Sequence, residues 1–257
     1  MTKYTLITGA SGGIGKALAY EFAKAGNDLI LSARNQAKLK EVAADIQSTY
    51  NVDVQIEVAD LATADGAEKL YQSVQKKKLV VENLINNAGF GNQGEFVKND
   101  FKKEVELMQV NTLSVIELCH LFLQGMIERK SGSILNVAST AAFQPGPYMA
   151  TYFASKAAVL SFSEAIATEL KPYNISVTAL CPGPVATSFF DAAEMAKTNL
   201  AQSPHMTTAD KVAKIGFNGW RKKKMIIVPG FLNKLMAFSV RISPRSVVKA
   251  VAARMNQ

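Results

Sequence analysis

The stretch Thr8-Gly-Ala-Ser-Gly-Gly-Ile-Gly15 decides the fold of this chain. An apolar run leads into it and an amphipathic helical pattern follows it, so the stretch is typical of a strand-to-helix turn. Its glycines permit a tight turn and let a pyrophosphate approach the backbone, while the helix N-terminus offers unpaired N–H groups. This context predicts a dinucleotide-binding loop. The residues predicted to bind are Gly9, Ser11, Gly12, Gly13, Ile14 and Gly15.

Apolar runs and amphipathic stretches alternate along the rest of the chain. The runs that predict strands are 5–8, 28–32, 54–58, 83–86, 133–137, 176–180 and 225–228. The stretches that predict helices are 14–25, 36–49, 63–75, 101–128 and 152–171. Nearly all-apolar strands are typical of a sheet covered on both faces. We therefore predict an α/β fold, a Rossmann-type doubly wound parallel sheet of about seven strands with helices on both faces, built as a single domain over 1–257.

The composition excludes several classes of protein. No run of about 18 or more apolar residues occurs and the N-terminus lacks a signal-peptide pattern, so we expect a cytoplasmic protein without a membrane span. Cys119 and Cys181 are the two cysteines, too few for a disulfide framework or a zinc cluster, and we expect no metal site. A Ser-His-Asp hydrolase is disfavoured, because the Gly-x-Ser-x-Gly pattern occurs only as Gly9-Ala-Ser-Gly-Gly13, which places Ser11 in the glycine loop, and neither His120 nor His205 adjoins a nucleophile motif.

The segments after the glycine loop carry a resemblance. In chain order they are Asp60-Leu61, Asn86-Asn-Ala-Gly89, Asn111, Ser139, Tyr152-Phe-Ala-Ser-Lys156 and Pro182-Gly183. With the Gly-x-x-x-Gly-x-Gly spacing of the loop, they resemble the short-chain dehydrogenase/reductase family from Lys3 to about Thr187. The resemblance implies an oxidoreductase that moves a hydride between a nicotinamide and a carbonyl or secondary alcohol. A carbonyl reductase acting on a ketone or aldehyde is the function we expect.

The end of the second predicted strand indicates which nicotinamide cofactor binds. An acidic residue there selects NAD, but this chain has Ala33 followed by Arg34, whose guanidinium can pair with a 2′-phosphate. We therefore expect NADP(H) rather than NAD(H). Relatives that use NADP often carry a second basic residue inside the glycine loop, where this chain has Gly12. The other interpretation is that Arg34 simply opens a solvated helix.

Further cofactor contacts follow from the resemblance alone. Asp60, with Leu61 beside it, would bond the adenine amino group. Asn87, Ala88 and Gly89 would line the adenosine ribose. The residues expected around the nicotinamide are Pro182, Gly183, Val185, Thr187, Tyr152 and Lys156.

The catalytic hypothesis centres on Tyr152 and Lys156, which lie four residues apart on one face of a predicted helix. A free tyrosine has a pKa near 10. We expect the neighbouring ammonium, together with the positive nicotinamide ring of the oxidised cofactor, to lower the pKa of Tyr152 so that it can exchange a proton with the substrate oxygen. By resemblance, Ser139 would donate a hydrogen bond to the same oxygen. Asn111 would kink its helix and hold a water that relays protons to Lys156.

The substrate side is predicted from apolar residues. Phe90, Phe143 and Tyr148 would form one wall of a pocket, and Phe189 and Phe190 would lie in a covering segment over 184–210. Such a pocket suits a hydrophobic small-molecule carbonyl or alcohol. The alternative, from a different class, is an NADP(H)-binding regulator or scaffold with little turnover.

The C-terminal extension over 230–257 is basic and has a helical pattern. The net charge of the chain is +8, yet the last 47 residues hold eleven Lys or Arg and no Asp or Glu. Phe231, Leu235, Phe238 and Ile242 recur at helical spacing there. Three interpretations stay open: packing over the active site or a partner subunit, peripheral contact with a membrane, or a funnel for anionic substrates. Nucleic-acid binding is not expected, and the resemblance implies a homodimer or homotetramer.

Overall fold

Seven parallel strands form a central sheet in the computed structural model, which describes residues 2–187 and 206–256. Two further short strands pair beside it. In chain order the strands are β1 (Lys3–Thr8), β2 (Asp28–Ala33), β3 (Val54–Val58), β4 (Val80–Asn86), β5 (Gly132–Val137), β6 (Ile175–Leu180), β7 (Val185–Ala186), β8 (Thr207–Thr208) and β9 (Ile226–Ile227). The sheet order is β3-β2-β1-β4-β5-β6-β9, and β7 pairs with β8. The predicted seven-stranded parallel sheet is confirmed.

Helices follow the strands and cover both faces of the sheet. They are α1 (Gly13–Lys24), α2 (Gln36–Thr49), α3 (Gly66–Lys76), α4 (Phe101–Met108), α5 (Ser114–Arg129), α6 (Ala150–Glu169), α7 (Ala209–Arg221), α8 (Phe231–Ser239) and α9 (Arg245–Asn256). A π-helical turn, Gln109–Leu113, joins α4 to α5. The turn interrupts the single helix that was predicted over 101–128, and it contains Asn111, where a kink was expected.

Two apolar layers hold the helices to the sheet. On one face, α1, α2 and α7 bury side chains such as Phe22 and Phe217 against Ile7 and Leu31. On the other, α3, α5 and α6 pack against the alternate strand residues: Leu6, Ile30, Leu84 and Ile134. Because successive strand residues point to opposite faces and both faces are covered, the strands have no polar side. The doubly wound architecture predicted from the near-continuous apolar runs is therefore confirmed.

The strand order fixes where a ligand can bind. β1 lies between β2 and β4, so the chain winds outward in opposite directions from this point. In sheets of this kind the loops after the two central strands diverge and leave a crevice at the carboxyl edge. The loop after β1 is the Gly9–Gly15 stretch, and the loop after β4 begins at Asn87. The fold thus brings these two predicted segments together.

The stretch Phe101–Arg129 is 29 residues long and apolar enough, by length and composition, to cross a membrane. In this fold its second half, α5, lies across β4 and β5. Leu118, Phe122 and Met126 are buried there. A core helix passes the same test of length and composition, and the burial of these side chains identifies α5 as a core helix.

Candidate active site

The glycine loop is shaped by close backbone approaches. Gly9 has φ +66°, and a Cβ on it would lie 2.9 Å from Ala88 Cα. A Cβ on Gly15 would lie 2.3 Å from the carbonyl oxygen of Gly9. Thr8 locks the loop to β4, because its Oγ1 accepts hydrogen bonds of 3.0 Å from both Asn87 N and Ala88 N. Larger residues at these glycines would therefore push the loop out of place.

The start of α1 is built to receive an anion. The helix is preceded by Gly12, which has no side chain to cap the first N–H groups, and a Cβ there would meet nothing within 4 Å. The open N–H groups and the partial positive charge of the helix N-terminus face the same space. A pyrophosphate fits this cradle, so the residues present suit a dinucleotide cofactor.

A cavity of about 720 Å³ extends along the carboxyl edge of the sheet from this cradle. It gathers most of the predicted site residues. Those on its wall are Gly9, Ser11, Gly12, Gly13, Ile14, Arg34, Asp60, Leu61, Asn87, Ala88, Gly89, Phe90, Ser139, Tyr152, Lys156, Pro182, Gly183, Val185 and Thr187. Gly15 lies behind the wall against Gly9, and Asn111 is fully buried beneath it. Phe189 and Phe190 fall outside the described residues.

The end of the cavity beside β2 carries two basic side chains. Arg34 follows Ala33 directly, and Lys38 lies one helical turn further on. Asn35 caps α2 by accepting a 3.0 Å hydrogen bond from Lys38 N, which fixes the start of that helix at the cavity. Sequence reasoning missed Lys38. The signal that could have found it was its position in the first turn of the predicted helix that follows Arg34.

Three of the four catalytic candidates, Ser139, Tyr152 and Lys156, lie together on the cavity wall. Ser139 follows β5, whereas Tyr152 and Lys156 project from the first turns of α6. The Ser139 hydroxyl is hydrogen-bonded to the Tyr152 side chain. Ser139 Oγ also accepts from Ala141 N at 3.1 Å, which fixes its rotamer. Lys156 Nζ lies 5.9 Å from the centroid of the Tyr152 ring and donates to Val137 O at 2.9 Å.

Burial governs the protonation of these groups. Burial raises the pKa of Tyr152 to about 12, and the hydrogen bond from Ser139 acts in the opposite direction. Burial lowers the pKa of Lys156 to about 8. In the protein alone the pKa of Tyr152 is therefore raised by desolvation of the phenolate, and the Lys156 ammonium is directed to Val137 O. The lowering that we expected from Lys156 and the oxidised nicotinamide together stays a prediction for the complex with the cofactor.

Asn111 occupies the π-helical turn that was expected as a kink. Its Oδ1 accepts from Phe90 N at 3.0 Å, and its Nδ2 donates to Phe90 O at 2.9 Å and to Ser155 Oγ at 3.2 Å. The side chain therefore ties the loop after β4 to α6. Both of its polar ends are used in this way, so the described contacts give Asn111 a positioning role, and the water relay to Lys156 stays a prediction.

The predicted aromatic wall is only partly present. Phe90 lines the cavity, but Phe143 and Tyr148 are not on the wall formed by the described residues. Phe143 packs against the buried core, and Tyr148 lies in a turn with φ +65°. The carbonyl of Tyr148 accepts from Gly94 N at 2.9 Å, so this turn supports the loop after β4. Phe143 ends the short helical turn Thr140–Phe143, and its packing against the core is the physical reason that it is not on this wall. The residues on the wall in this region are Gln144, Met149 and Phe153.

An apolar wall that the sequence did not reveal comes from the C-terminal helices. The side chains that α8, α9 and the turn between them present to the cavity include Leu232, Met236, Val240, Val247, Val248, Val251 and Met255. The helical pattern was predicted there, but not which residues would face the site. The cavity is thus polar and basic at the nucleotide end and apolar at the opposite end.

Two side-chain contacts attach these helices to the site. Asn233 lies against Gly183 of the loop after β6, since a Cβ on that glycine would be 2.6 Å from the Asn233 amide. At the other end, Asn256 Nδ2 donates to Pro147 O at 2.9 Å, and Gln93 Nε2 donates to Asn256 O at 3.1 Å. The interpretation that the extension packs over the site agrees with this arrangement.

The described residues were also compared with the side-chain groups that bind metal ions. Among residues 2–187 and 206–256, no group of three or more His, Cys, Asp or Glu side chains could hold a metal ion. Both cysteines are buried and free.

Comparison with known families gives a match over most of the chain. A family model described as "short chain dehydrogenase" matches residues 3–198. The fold is similar to that of a solved short-chain dehydrogenase from Sphingobium yanoikuyae in complex with NADPH, with a TM-score of 0.84 and 27% sequence identity. The superposition covers 94% of this chain and 94% of the other.

Curated relatives carry more specific names. The chain is 33% identical over 221 residues to a very-long-chain 3-oxoacyl-CoA reductase of Pyrenophora tritici-repentis, across 84% of this chain and 64% of the relative. It is 36% identical over 190 residues to a human protein named inactive hydroxysteroid dehydrogenase-like protein 1, across 72% of this chain and 57% of the relative. In both cases the chain spans less than two thirds of the relative's length.

Proposed function

Because the chain belongs to the short-chain dehydrogenase/reductase family of oxidoreductases, we propose that it uses NADPH to reduce the carbonyl group of an apolar substrate. One observation carries the proposal. Ser139, Tyr152 and Lys156 share a cavity with the glycine loop at one end and an apolar wall at the other. A hydride donor, a proton donor and an apolar ketone can therefore meet at a single point.

The chemistry follows from the protonation of the site. Bound NADPH would supply the hydride to the carbonyl carbon, which is the part of the reaction that the protein lacks. Tyr152, held as the neutral phenol by burial, is poised to donate its proton to the carbonyl oxygen. The Ser139 hydroxyl stands beside it to stabilise the negative charge that builds on that oxygen. Lys156, charged below a pKa of about 8, then stabilises the phenolate that remains.

The choice of NADPH over NADH rests on Arg34 and Lys38. Both lie on the cavity wall at the end of β2, and Ala33 stands where a carboxylate would favour NAD. A guanidinium and an ammonium at this place suit the additional phosphate of NADP. The complex of the Sphingobium enzyme with NADPH supports the same choice.

The apolar wall favours a substrate with a hydrocarbon portion. The Pyrenophora relative is named for reduction of very-long-chain 3-oxoacyl-CoA, a ketone attached to a long apolar chain. A long-chain 3-oxoacyl thioester is therefore the first candidate among hydrophobic ketones and aldehydes. Burial of each additional methylene on such a wall would favour binding by about 0.8 kcal/mol.

The second candidate function is an NADP(H)-binding regulator without turnover. The name of the human relative, which includes the word "inactive", is the observation that favours it. In the present chain the full set of Ser139, Tyr152 and Lys156 is assembled in the cavity, and a protein that only binds the nucleotide has no need of a proton donor there.

The test compares turnover by three forms of the protein with NADPH and 3-oxoacyl thioesters of increasing chain length. We expect the wild-type protein to oxidise NADPH, with kcat/KM rising with chain length. Tyr152→Phe should lower kcat by between about 10² and 10⁴ fold while leaving the Kd for NADPH within about twofold, because only the proton donor is lost.

Tyr173→Phe is the matched control, since it removes the same hydroxyl from a tyrosine between α6 and β6 that is 39% exposed. Its turnover should equal that of wild type. Tight NADPH binding without turnover by the wild-type protein would support the regulator instead, and undiminished turnover by Tyr152→Phe would remove Tyr152 from its role.

A further inference from the structure

Helix α8 has two apolar faces, and the active site accounts for only one of them. Leu232, Met236 and Val240 face the cavity. A second row, made of Phe231, Leu235, Phe238 and Ile242 and called here the outer row, lies on the opposite side of the helix. These four residues are absent from the cavity wall as described.

The outer row is strongly exposed. Phe231 is 82% exposed, Leu235 52%, Phe238 58% and Ile242 75%. Ile242 continues the row beyond α8, because the following turn keeps a helical hydrogen bond of 3.0 Å from Ser243 N to Ser239 O. Single exposed apolar residues are common on proteins, but a contiguous row with two phenylalanines is typical of an interaction surface.

Basic residues flank the outer row, and acidic residues are absent from this part of the sequence. Lys234 and Arg241, seven residues apart, lie along one edge of the row, and neither forms an ion pair with a carboxylate of the described residues. Helix α9 adds Arg245, Lys249 and Arg254. No Asp or Glu occurs after Asp210. The occupant of this surface must therefore accept apolar side chains and be negatively charged.

We propose that the outer row and its basic edge dock on an anionic lipid surface. Phenylalanine, leucine and isoleucine side chains enter the boundary between headgroups and acyl chains, while lysine and arginine remain beside the lipid phosphates. A second copy of this chain fits less well, because a symmetric contact would bring identical basic edges together. The inference concerns binding of the protein to lipid and does not depend on the proposed activity.

The position of α8 gives the docking a consequence for substrate access. One side of the helix lines the cavity and the other side would touch the lipid, so the cavity wall would lie one helix diameter from the membrane. A long-chain ketone dissolved in the bilayer could then reach Tyr152 without crossing bulk water. This consequence, unlike the docking itself, rests on the proposed function.

A second basic cluster on the chain supplies an internal control. Arg221, Lys222, Lys223 and Lys224 end α7 and precede β9. Because the strands are parallel, they lie at the amino edge of the sheet, opposite the cavity. Neutralising charges there changes the net charge of the protein without changing the proposed docking surface.

The experiment is co-sedimentation of the full chain with vesicles, either of phosphatidylcholine alone or of phosphatidylcholine mixed with phosphatidylglycerol. We expect binding to the mixed vesicles, weakened by added salt, and little binding to phosphatidylcholine alone. Lys234→Gln with Arg241→Gln should weaken binding about fivefold per charge. The double variant Phe231→Ser with Phe238→Ser should weaken binding to the mixed vesicles at least about tenfold, because two aromatic side chains would no longer be buried in the lipid.

Two control pairs complete the design. Lys222→Gln with Lys224→Gln removes the same charge at the opposite edge, and Phe96→Ser with Phe101→Ser removes two exposed phenylalanines, 57% and 71% exposed, from another surface. Both pairs should bind vesicles as wild type does. Equal losses in the control and test pairs, or no binding of wild type to mixed vesicles, would overturn the proposal. A dimer that Phe231→Ser with Phe238→Ser dissociates, without vesicle binding by wild type, would assign the surface to a second copy.

Discussion

The nucleotide end of the cavity and its C-terminal cover are built in opposite ways. The glycine loop is held at Gly9 and Gly15 by contacts too close for an added side-chain atom, and by hydrogen bonds from the loop after β4 to Thr8. Helix α8, by contrast, buries none of its described residues, and α9 buries only Val248, Ala252 and Asn256. The first region is fixed by sterics, whereas the second is held by a few contacts.

This difference separates two tasks of the site. A rigid loop suits a ligand that is the same in every cycle, because the anion cradle must be in place before binding. A cover attached at Gly183, Pro147 and Gln93 can shape the substrate end without disturbing that cradle. Substitutions in the two regions should therefore affect cofactor and substrate separately.

The largest effect on cofactor use alone is expected from substitutions at the nucleotide end of the cavity. Arg34→Ala should raise the KM for NADPH between about 10 and 100 fold while changing the KM for NADH less than about twofold, because a charge-assisted pair with the 2′-phosphate contributes about 1.5–3 kcal/mol. Lys38→Ala should act in the same direction with a smaller effect. The measurement is steady-state turnover with each cofactor.

Lys40→Ala is the control for this pair, since Lys40 is an exposed residue of α2 that is not part of the described cavity wall. Its KM for NADPH should be unchanged. If Arg34→Ala raised the KM for both cofactors equally, the pairing with the phosphate would be refuted.

A smaller effect is expected in the cover. Val251 lines the cavity and is 55% exposed, and Val251→Ala removes two methyl groups from it. Because only about half of their contact with a long-chain ketone is buried, the loss is about 0.8 kcal/mol and the KM should rise about fourfold. The Kd for NADPH should not change. Val105→Ala makes the same substitution at a similarly exposed position on α4, 52% against 55%, and should leave both values as in wild type. A change in NADPH affinity with Val251→Ala would show that the two regions are coupled.

The sequence predicts the nucleotide end well because its constraints are local. A glycine spacing with a strand before it and a helix after it is visible around the stretch from Thr8 to Gly15, and the structure places Gly9, Ser11, Gly12, Gly13 and Ile14 on the cavity wall. Lys38 could have been found from its position in the first turn of the predicted helix that follows Arg34. The strands were predicted to within a few residues because burial on both faces leaves apolar runs.

The substrate end could not be predicted in the same way. Phe143 was expected on the wall, but it packs against the buried core at the end of a short helical turn, and such packing is decided by tertiary contacts. The apolar faces of α8 were visible as a helical pattern, yet only the fold shows which one meets the cavity. The raised pKa of Tyr152 in the protein alone could not be predicted for a similar reason, because burial of its side chain cannot be read from its spacing to Lys156.

The account depends most on a buried, protonated Tyr152 that donates to the carbonyl while Lys156 is charged. The direct test is the pH dependence of kcat/KM for ketone reduction by the wild-type protein, between about pH 6 and pH 10. Both groups are protonated at low pH, and Lys156 loses its proton first, near its pKa of about 8, well before Tyr152. We therefore expect kcat/KM to be constant at low pH and to fall as the pH rises past about 8. A kcat/KM that increases through this range would mean that a deprotonated group drives the reduction, and would contradict the account.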